Sequence, residues 1–212
     1  MKTILCYGDS LTWGHDVVRQ TRHAFEDRWP NIVQAELGSQ VHVISEGLGG
    51  RTTAFDDYLL AADLNGARSL PVVLSSHSPL DLVVVMLGTN DMKPWVNGAA
   101  LGSARGMKRL TEIIRTHPYP LGGPVPKVLL VSPPHIMAID RPDVAQMLAG
   151  GAAFSHELAA LYTQVANELG CGFFDAATVA TPSPVDGVHL DAENTRAIGK
   201  ALAPVIKTIL GL

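Results

Sequence analysis

The sequence predicts an α/β fold, a doubly wound sheet of about five parallel strands with helices on both faces. Three observations predict it. Short, continuously apolar runs rich in β-branched residues recur at Thr3–Tyr7, Val41–Ile44, Leu82–Leu87 and Val128–Val131, with a weaker run at Gly172–Phe174. Continuous rather than alternating apolarity marks strands buried on both faces, and such strands belong to parallel sheets. Segments of helical periodicity separate the runs, and strand–helix alternation implies right-handed crossovers. The length of 212 residues fits one domain spanning 1–212, because a single core stops growing only beyond about 250–300 residues.

Taken in order, Thr3–Tyr7 is the first strand and stops at Gly8-Asp9-Ser10. Trp29–Leu37 follows as a helix with Pro30 near its start, where the missing N–H costs nothing. The second strand, Val41–Ile44, leads into Glu46-Gly47-Leu48-Gly49-Gly50-Arg51-Thr52. The third, Leu82–Leu87, leads into Gly88-Thr89-Asn90-Asp91. Met107, Leu110, Ile113 and Ile114 give Ala99–His117 a helical apolar stripe, and Leu158, Leu161, Tyr162, Val165 and Leu169 do the same for Ala152–Leu169. Asp191 stands ready to cap a last helix, Ala192–Leu210, whose stripe is Ile198, Leu202, Val205, Ile206 and Ile209. Two irregular stretches, Arg51–Gly66 and Pro133–Gly151, exceed ordinary loop lengths and suit pocket walls or interfaces. The arrangement is flavodoxin-like, and in such sheets ligands bind beyond the carboxyl ends of the strands.

Composition narrows the partners. A net charge of −4 with scattered Lys and Arg provides no basic stripe, which excludes nucleic acid. Charged residues make up 17% of the chain, below the usual share of about 25%, and that shortage predicts apolar surface hidden in a homo-oligomer. Cys6 and Cys171 lie in or beside strands and read as small buried hydrophobes. The remaining histidines show no paired-ligand spacing, so no metal is expected. GLGGRT lacks both phosphate-cradle patterns, so no nucleotide or other cofactor is expected. No apolar run approaches the roughly 20 residues of a membrane span. The first strand begins at Thr3, leaving no room for a secretory signal, so a cytoplasmic location is expected.

The strand ends collect the parts that acyl transfer requires. Ser10 is a candidate nucleophile, and a hydroxyl needs a base to take its proton. His189 is the candidate base, with Asp186 three residues earlier able to reach its other ring nitrogen. An oxyanion needs donors, and the Ser10 and Gly50 backbone N–H groups and the Asn90 amide are candidates. Asp9 and Asp91 read as turn acids bonding nearby amides. Asp175 rivals Asp186 but has no histidine at near spacing. Leu11, Trp13 and Lys93 are pocket candidates by adjacency. Met137, Ile139, Met147, Leu148 and Phe154 either roof the pocket or bury against another subunit.

GDSL at 8–11, Gly50 within GLGGRT, GTND at 88–91 and DGVH at 186–189 stand in the order of the four sequence blocks of the SGNH or GDSL hydrolases. The resemblance spans essentially the whole chain. It implies catalytic roles for Ser10, Asp186 and His189 and oxyanion-hole roles for Ser10, Gly50 and Asn90. CYGDSLTWG, EGLGGRTT and MLGTNDMK resemble the bacterial arylesterase/acyltransferase subgroup, whose members transfer acyl groups to alcohols or peroxide and assemble as octamers with narrow apolar channels. Glu46 stands near where an asparagine often opens the second block. The order differs from that of the α/β-hydrolases, whose serine lies mid-chain in a G-x-S-x-G elbow. The expected activity is hydrolysis of short-chain, small-molecule aryl esters through an acyl-enzyme. The alternatives are a carbohydrate acetylesterase or thioesterase of the same machinery, and a flavodoxin-like binding module in which these blocks are merely turns.

Overall fold

A computed structural model describes residues Met1–Leu212. In chain order its strands are β1 (Lys2–Gly8), β2 (His15–Asp16), β3 (Thr21–Arg22), β4 (Val41–Gly47), β5 (Leu82–Met86), β6 (Lys127–Ser132) and β7 (Gly172–Asp175). The helices are α1 (Ser10–Trp13), α2 (Trp29–Leu37), α3 (Gly66–His77), α4 (Ala100–Thr116), α5 (Pro142–Met147), α6 (Gly151–Ser155), α7 (Leu158–Leu169) and α8 (Ala192–Leu210). Five strands form one parallel sheet in the order β4-β1-β5-β6-β7, while β2 and β3 pair as a small antiparallel hairpin. The chain steps from β1 out to β4 and then back across it to β5. The strand order therefore reverses beside β1, where an open α/β sheet forms its binding crevice.

All five apolar runs are strands of this sheet, and their burial explains their composition. Every residue of β5 is buried. Along β1, Ile4 and Cys6 enter one core while Leu5 and Tyr7 enter the other, as a period of two requires. Helices α2 and α8 cover the first face through Trp29, Val33, Ile198 and Leu202. Helices α3, α4 and α7 cover the second through Leu70, Leu74, Met107, Leu110, Leu158 and Tyr162. Each such side chain contributes roughly 1.5–3 kcal/mol by leaving water. Cys6 is fully buried, and burial pushes its thiol well up, so it behaves as a small hydrophobe. The Asp191 cap is formed, its carboxylate accepting the Asn194 N–H at 2.8 Å. No helix is long and apolar enough to cross a membrane.

Four features depart from the sequence expectation. Helix α3 carries Pro71 inside it, a breaker signal that masks the Leu70/Leu74 pair facing the core. The helix expected over 152–169 is split into α6 and α7, because His156 and Glu157 bond three residues back, to Ala153 and Phe154. At that break the Ser155 hydroxyl donates to the Ala152 carbonyl at 2.8 Å and accepts the Ile136 N–H at 2.9 Å. The Pro133–Gly151 stretch contains the short helix α5, and the 15–22 hairpin is too brief to leave a periodic signal.

Candidate active site

The end of β1 turns directly into α1, which places Ser10 at the carboxyl end of an interior strand, between β4 and β5. That turn is tight. A Cβ at Gly47 would lie 2.2 Å from the Trp13 backbone nitrogen, so only glycine lets α1 rest against the end of β4. Asp9 is buried and caps α1, its Oδ1 accepting the Leu11 N–H at 2.9 Å. Asn90 follows β5 and donates its amide to Arg51 O at 3.2 Å and Asp9 Oδ2 at 3.4 Å. Asp9 thus holds both the turn of Ser10 and the Asn90 amide beside it.

The loop before α8 supplies the imidazole. His189 Nε2 is 2.9 Å from Ser10 Oγ, across 179 positions of sequence, and its Nδ1 is 2.6 Å from Asp186 Oδ2. The other oxygen of Asp186 accepts the backbone N–H groups of Val188 and His189 at 3.0 and 2.9 Å. Burial works to raise the Asp186 carboxyl, but the His189 ring and these two N–H groups outweigh it and hold it down at about 2. A carboxylate, an imidazole and a hydroxyl are therefore in line, with the carboxylate ionised at neutral pH. Asp175, the rival acid, instead accepts from Ser132 Oγ at 2.9 Å and caps the turn at Ala177.

Gly50 occupies the left-handed region at φ +84°, in the loop that follows β4. Neither its N–H nor that of Ser10 has a hydrogen-bond partner within the chain. Arg51 clamps this loop to β1, with Nη1 donating to Gly8 O at 2.8 Å and to Glu46 O, and its guanidinium 4.1 Å from the centre of the Tyr7 ring. Glu46, near the place where an asparagine often stands, turns its carboxylate to His77 Nε2 at 2.8 Å. Asp91 is buried and accepts from the Thr53 N–H and hydroxyl at 2.9 and 2.5 Å. Burial pushes both Asp9 and Asp91 up to about 6. Their roles as turn acids agree with the sequence reading.

A cavity of about 270 Å³ opens above Ser10, and Asn90, Lys93, Asp186 and His189 all line it. Of the adjacency candidates, Lys93 alone reaches it, with Nζ 2.9 Å from Asp57 Oδ2. Leu11 is instead buried in the core with Trp29, since one step along a helix turns a side chain by about 100° from its neighbour. Trp13 also lies off the cavity lining, its ring covered by the Arg22 guanidinium at 5.0 Å. Met147 and Leu148 line the wall, whereas Met137, Ile139 and Phe154 do not. Met137 props the loop of the imidazole, its N–H donating to Gly187 O at 2.8 Å. The sequence reading missed His15 and Gln20 of the hairpin, and Arg141 and Asp143 at the start of α5, all of which line the cavity. Their only signal was membership of short or irregular segments close to the flagged motifs.

The family model described as GDSL-like lipase/acylhydrolase matches residues 6–196. Among solved structures, a carbohydrate acetylesterase family member from Sinorhizobium meliloti is 55% identical, with a TM-score of 0.99 and 100% of each chain covered. The native aryl esterase of M. smegmatis is 40% identical, with a TM-score of 0.93 over 99% of this chain and 100% of that one. A second carbohydrate acetylesterase from Sinorhizobium meliloti is 39% identical with the same TM-score and coverage. No curated protein matches the chain.

Proposed function

The chain belongs to the GDSL-like lipase/acylhydrolase family, and on that premise we propose that it is a serine esterase acting on short-chain esters through an acyl-enzyme. The observation that carries this reading is the Ser10–His189–Asp186 chain of contacts at 2.9 and 2.6 Å. Ser10 Oγ attacks the ester carbonyl as His189 Nε2 takes its proton, and Asp186 stabilises the imidazolium that results. The oxyanion is met by the partnerless N–H groups of Ser10 and Gly50, and the Asn90 amide becomes the third donor by exchanging its long 3.4 Å contact with Asp9 Oδ2 for the oxyanion. Collapse of the intermediate returns the proton from His189 to the departing alcohol oxygen. The acceptor that follows, water or an alcohol, reverses the same steps.

Acyl transfer to alcohols or peroxide is part of the proposal. Val17, Val144, Met147, Leu148 and Val188 form an apolar wall beside Ser10, and a poorly hydrated wall favours acceptors less polar than water. A homo-oligomer, an octamer by resemblance, is also proposed. Its support is the low charge and the exposed Tyr58, Leu59 and Leu60 on the 51–66 connection. A cytoplasmic location rests on the sequence alone.

The carbohydrate acetylesterase reading is the second one, favoured by the polar rim of Gln20, Lys93, Arg141 and Asp143 around the same cavity. The experiment is hydrolysis of aryl esters of increasing acyl length by the parent and by Ser10→Ala, with and without added alcohol. Turnover should fall with acyl length, drop by about 10⁶ in Ser10→Ala, and yield a new ester in alcohol. Serine-independent turnover would remove the mechanism, and free acid as the only product in alcohol would remove acyl transfer.

A further inference from the structure

His15 opens the β2–β3 hairpin and lines the cavity above Ser10. Its ring centre is 4.3 Å from that of His189, the two planes tilted by 58°. The ring is half-buried, and neither of its nitrogens has a hydrogen-bond partner within the chain. Both nitrogens are therefore free to bond a ligand hydroxyl in the cavity.

The hairpin that carries His15 is braced toward the reacting groups. Asp16 Oδ1 accepts the N–H groups of Val18 and Arg19 at 3.0 and 3.1 Å. The His23 N–H donates to Gly14 O at 2.7 Å, and His23 Nε2 lies 3.0 Å from the carbonyl of Leu190, the residue after His189. At the hairpin tip Gln20 adopts φ +53°, uncommon for a residue with a side chain, and its amide donates to Val17 O at 2.7 Å. The hairpin and the loop of His189 are therefore tied to each other, which fixes one imidazole beside the other.

Resting on the esterase reading, we propose that His15 determines specificity for the alcohol half of the ester by hydrogen-bonding a hydroxyl vicinal to the ester oxygen. The substrates are accordingly partial esters of polyols, sugars among them. The geometry follows from the proton path. His189 Nε2 must reach the departing alcohol oxygen, so that oxygen lies at the His189 ring, and a hydroxyl one carbon away falls at the neighbouring ring. Burial first, and then the nearby His189, hold the His15 imidazole below its usual pKa, against the opposing pull of Asp186 and Asp16. It is thus neutral at pH 7, with one donor and one acceptor for a hydroxyl. His15 transfers no proton in the reaction.

The test compares kcat/KM for glycerol monoacetate, which has a hydroxyl vicinal to the ester oxygen, with that for propyl acetate, which has none. The parent should prefer the glycerol ester. His15→Phe keeps a ring against His189 but removes both nitrogens, and it should lower the glycerol-to-propyl ratio by about ten-fold, the worth of one net hydrogen bond. His15→Asn, which retains a donor and an acceptor, should recover part of the ratio. A parent ratio near one, or a ratio that His15→Phe leaves within two-fold of the parent, overturns the proposal. Equal losses on both esters assign His15 a packing role and also overturn it. Serine-dependent turnover of 4-nitrophenyl acetate is the control. Its presence alongside any of these outcomes leaves the esterase reading standing, and its absence removes both.

Discussion

The floor and the rim of the cavity are built by different means. The floor, Ser10, Asn90, Asp186 and His189, stands on the ends of β1 and β5 and on the loop entering α8, and each member is held by at least one hydrogen bond to another part of the site. The rim comes from a hairpin of two-residue strands and from the connection between β6 and α6, with Arg141 paired to its neighbour Asp143 at 2.5 Å. On the proposed mechanism, the difference separates the groups that would carry the chemistry from those that would select the substrate. Groups that must meet within a few tenths of an ångström are fixed by the sheet, whereas groups that choose among ligands ride on connections.

The comparison predicts that floor substitutions cost orders of magnitude and rim substitutions cost factors. After Ser10→Ala, the largest effect expected is that of Asp186→Asn, which keeps the shape but cannot hold the His189 tautomer that hands Nε2 to Ser10. Turnover should fall by about 10⁴, as it does when a triad acid is neutralised. Steady-state kinetics on 4-nitrophenyl acetate measures it, and a loss below ten-fold would show that Asp186 is not the orienting acid. Asn90→Ala removes one donor and should cost roughly 10²–10³ in kcat with little change in KM. A rise in KM at constant kcat would instead make Asn90 a ground-state contact.

One acid of the floor and two that lie beneath it respond to pH in opposite directions. Asp186, held at about 2, contributes stability above the ordinary carboxylate range that is lost as pH falls from about 4 through 2. Asp9 and Asp91, pushed up to about 6, act in the opposite direction. The folded state binds their protons more tightly than the unfolded chain between about 4 and 6, so their contribution falls as pH rises through that window. Each is worth on the order of 2 kcal/mol. The melting temperature of the parent should therefore carry a declining contribution from about pH 4 to pH 6 that levels off above it, and Asp91→Asn should flatten that decline. An unchanged slope in the variant would mean that Asp91 does not titrate there.

Legibility in the sequence follows the same division. The floor could be read because a strand that ends abruptly in Gly-Asp-Ser, or in Gly-Thr-Asn-Asp, announces itself against an apolar run, and because the sheet forces such ends onto one edge. The five strands could be read for the related reason that burial on both faces demands unbroken apolarity. Helix α3 was hidden by Pro71, and the break between α6 and α7 has no glycine or proline to announce it. Leu11 is a pocket candidate by adjacency, but one step along α1 from Ser10 turns its side chain into the core, and Trp13, three steps on, lies under the Arg22 guanidinium instead. His15 gave no signal beyond its closeness to the first motif, since its place beside His189 depends on a ring 174 positions away and on a hairpin too short to pattern.

The smallest effect belongs to the rim and sharpens the contrast most. Met147 lines the cavity at the end of α5 and is partly exposed, so it makes few contacts that the fold depends on. Met147→Ala should leave the melting temperature nearly unchanged, because a half-solvated side chain forfeits little buried area. Its removal widens an apolar wall, and a methylene gained or lost in such a wall is worth about 1–3 kcal/mol of discrimination. The ratio of kcat/KM for 4-nitrophenyl butyrate to that for the acetate should therefore rise several-fold, while acetate turnover changes by less. A variant that loses acetate turnover by a hundred-fold would show that the rim positions the reacting groups, and the division between floor and rim would fail. A several-fold gain for butyrate alone would place acyl-length selection on a connection that packs against the chemistry without taking part in it.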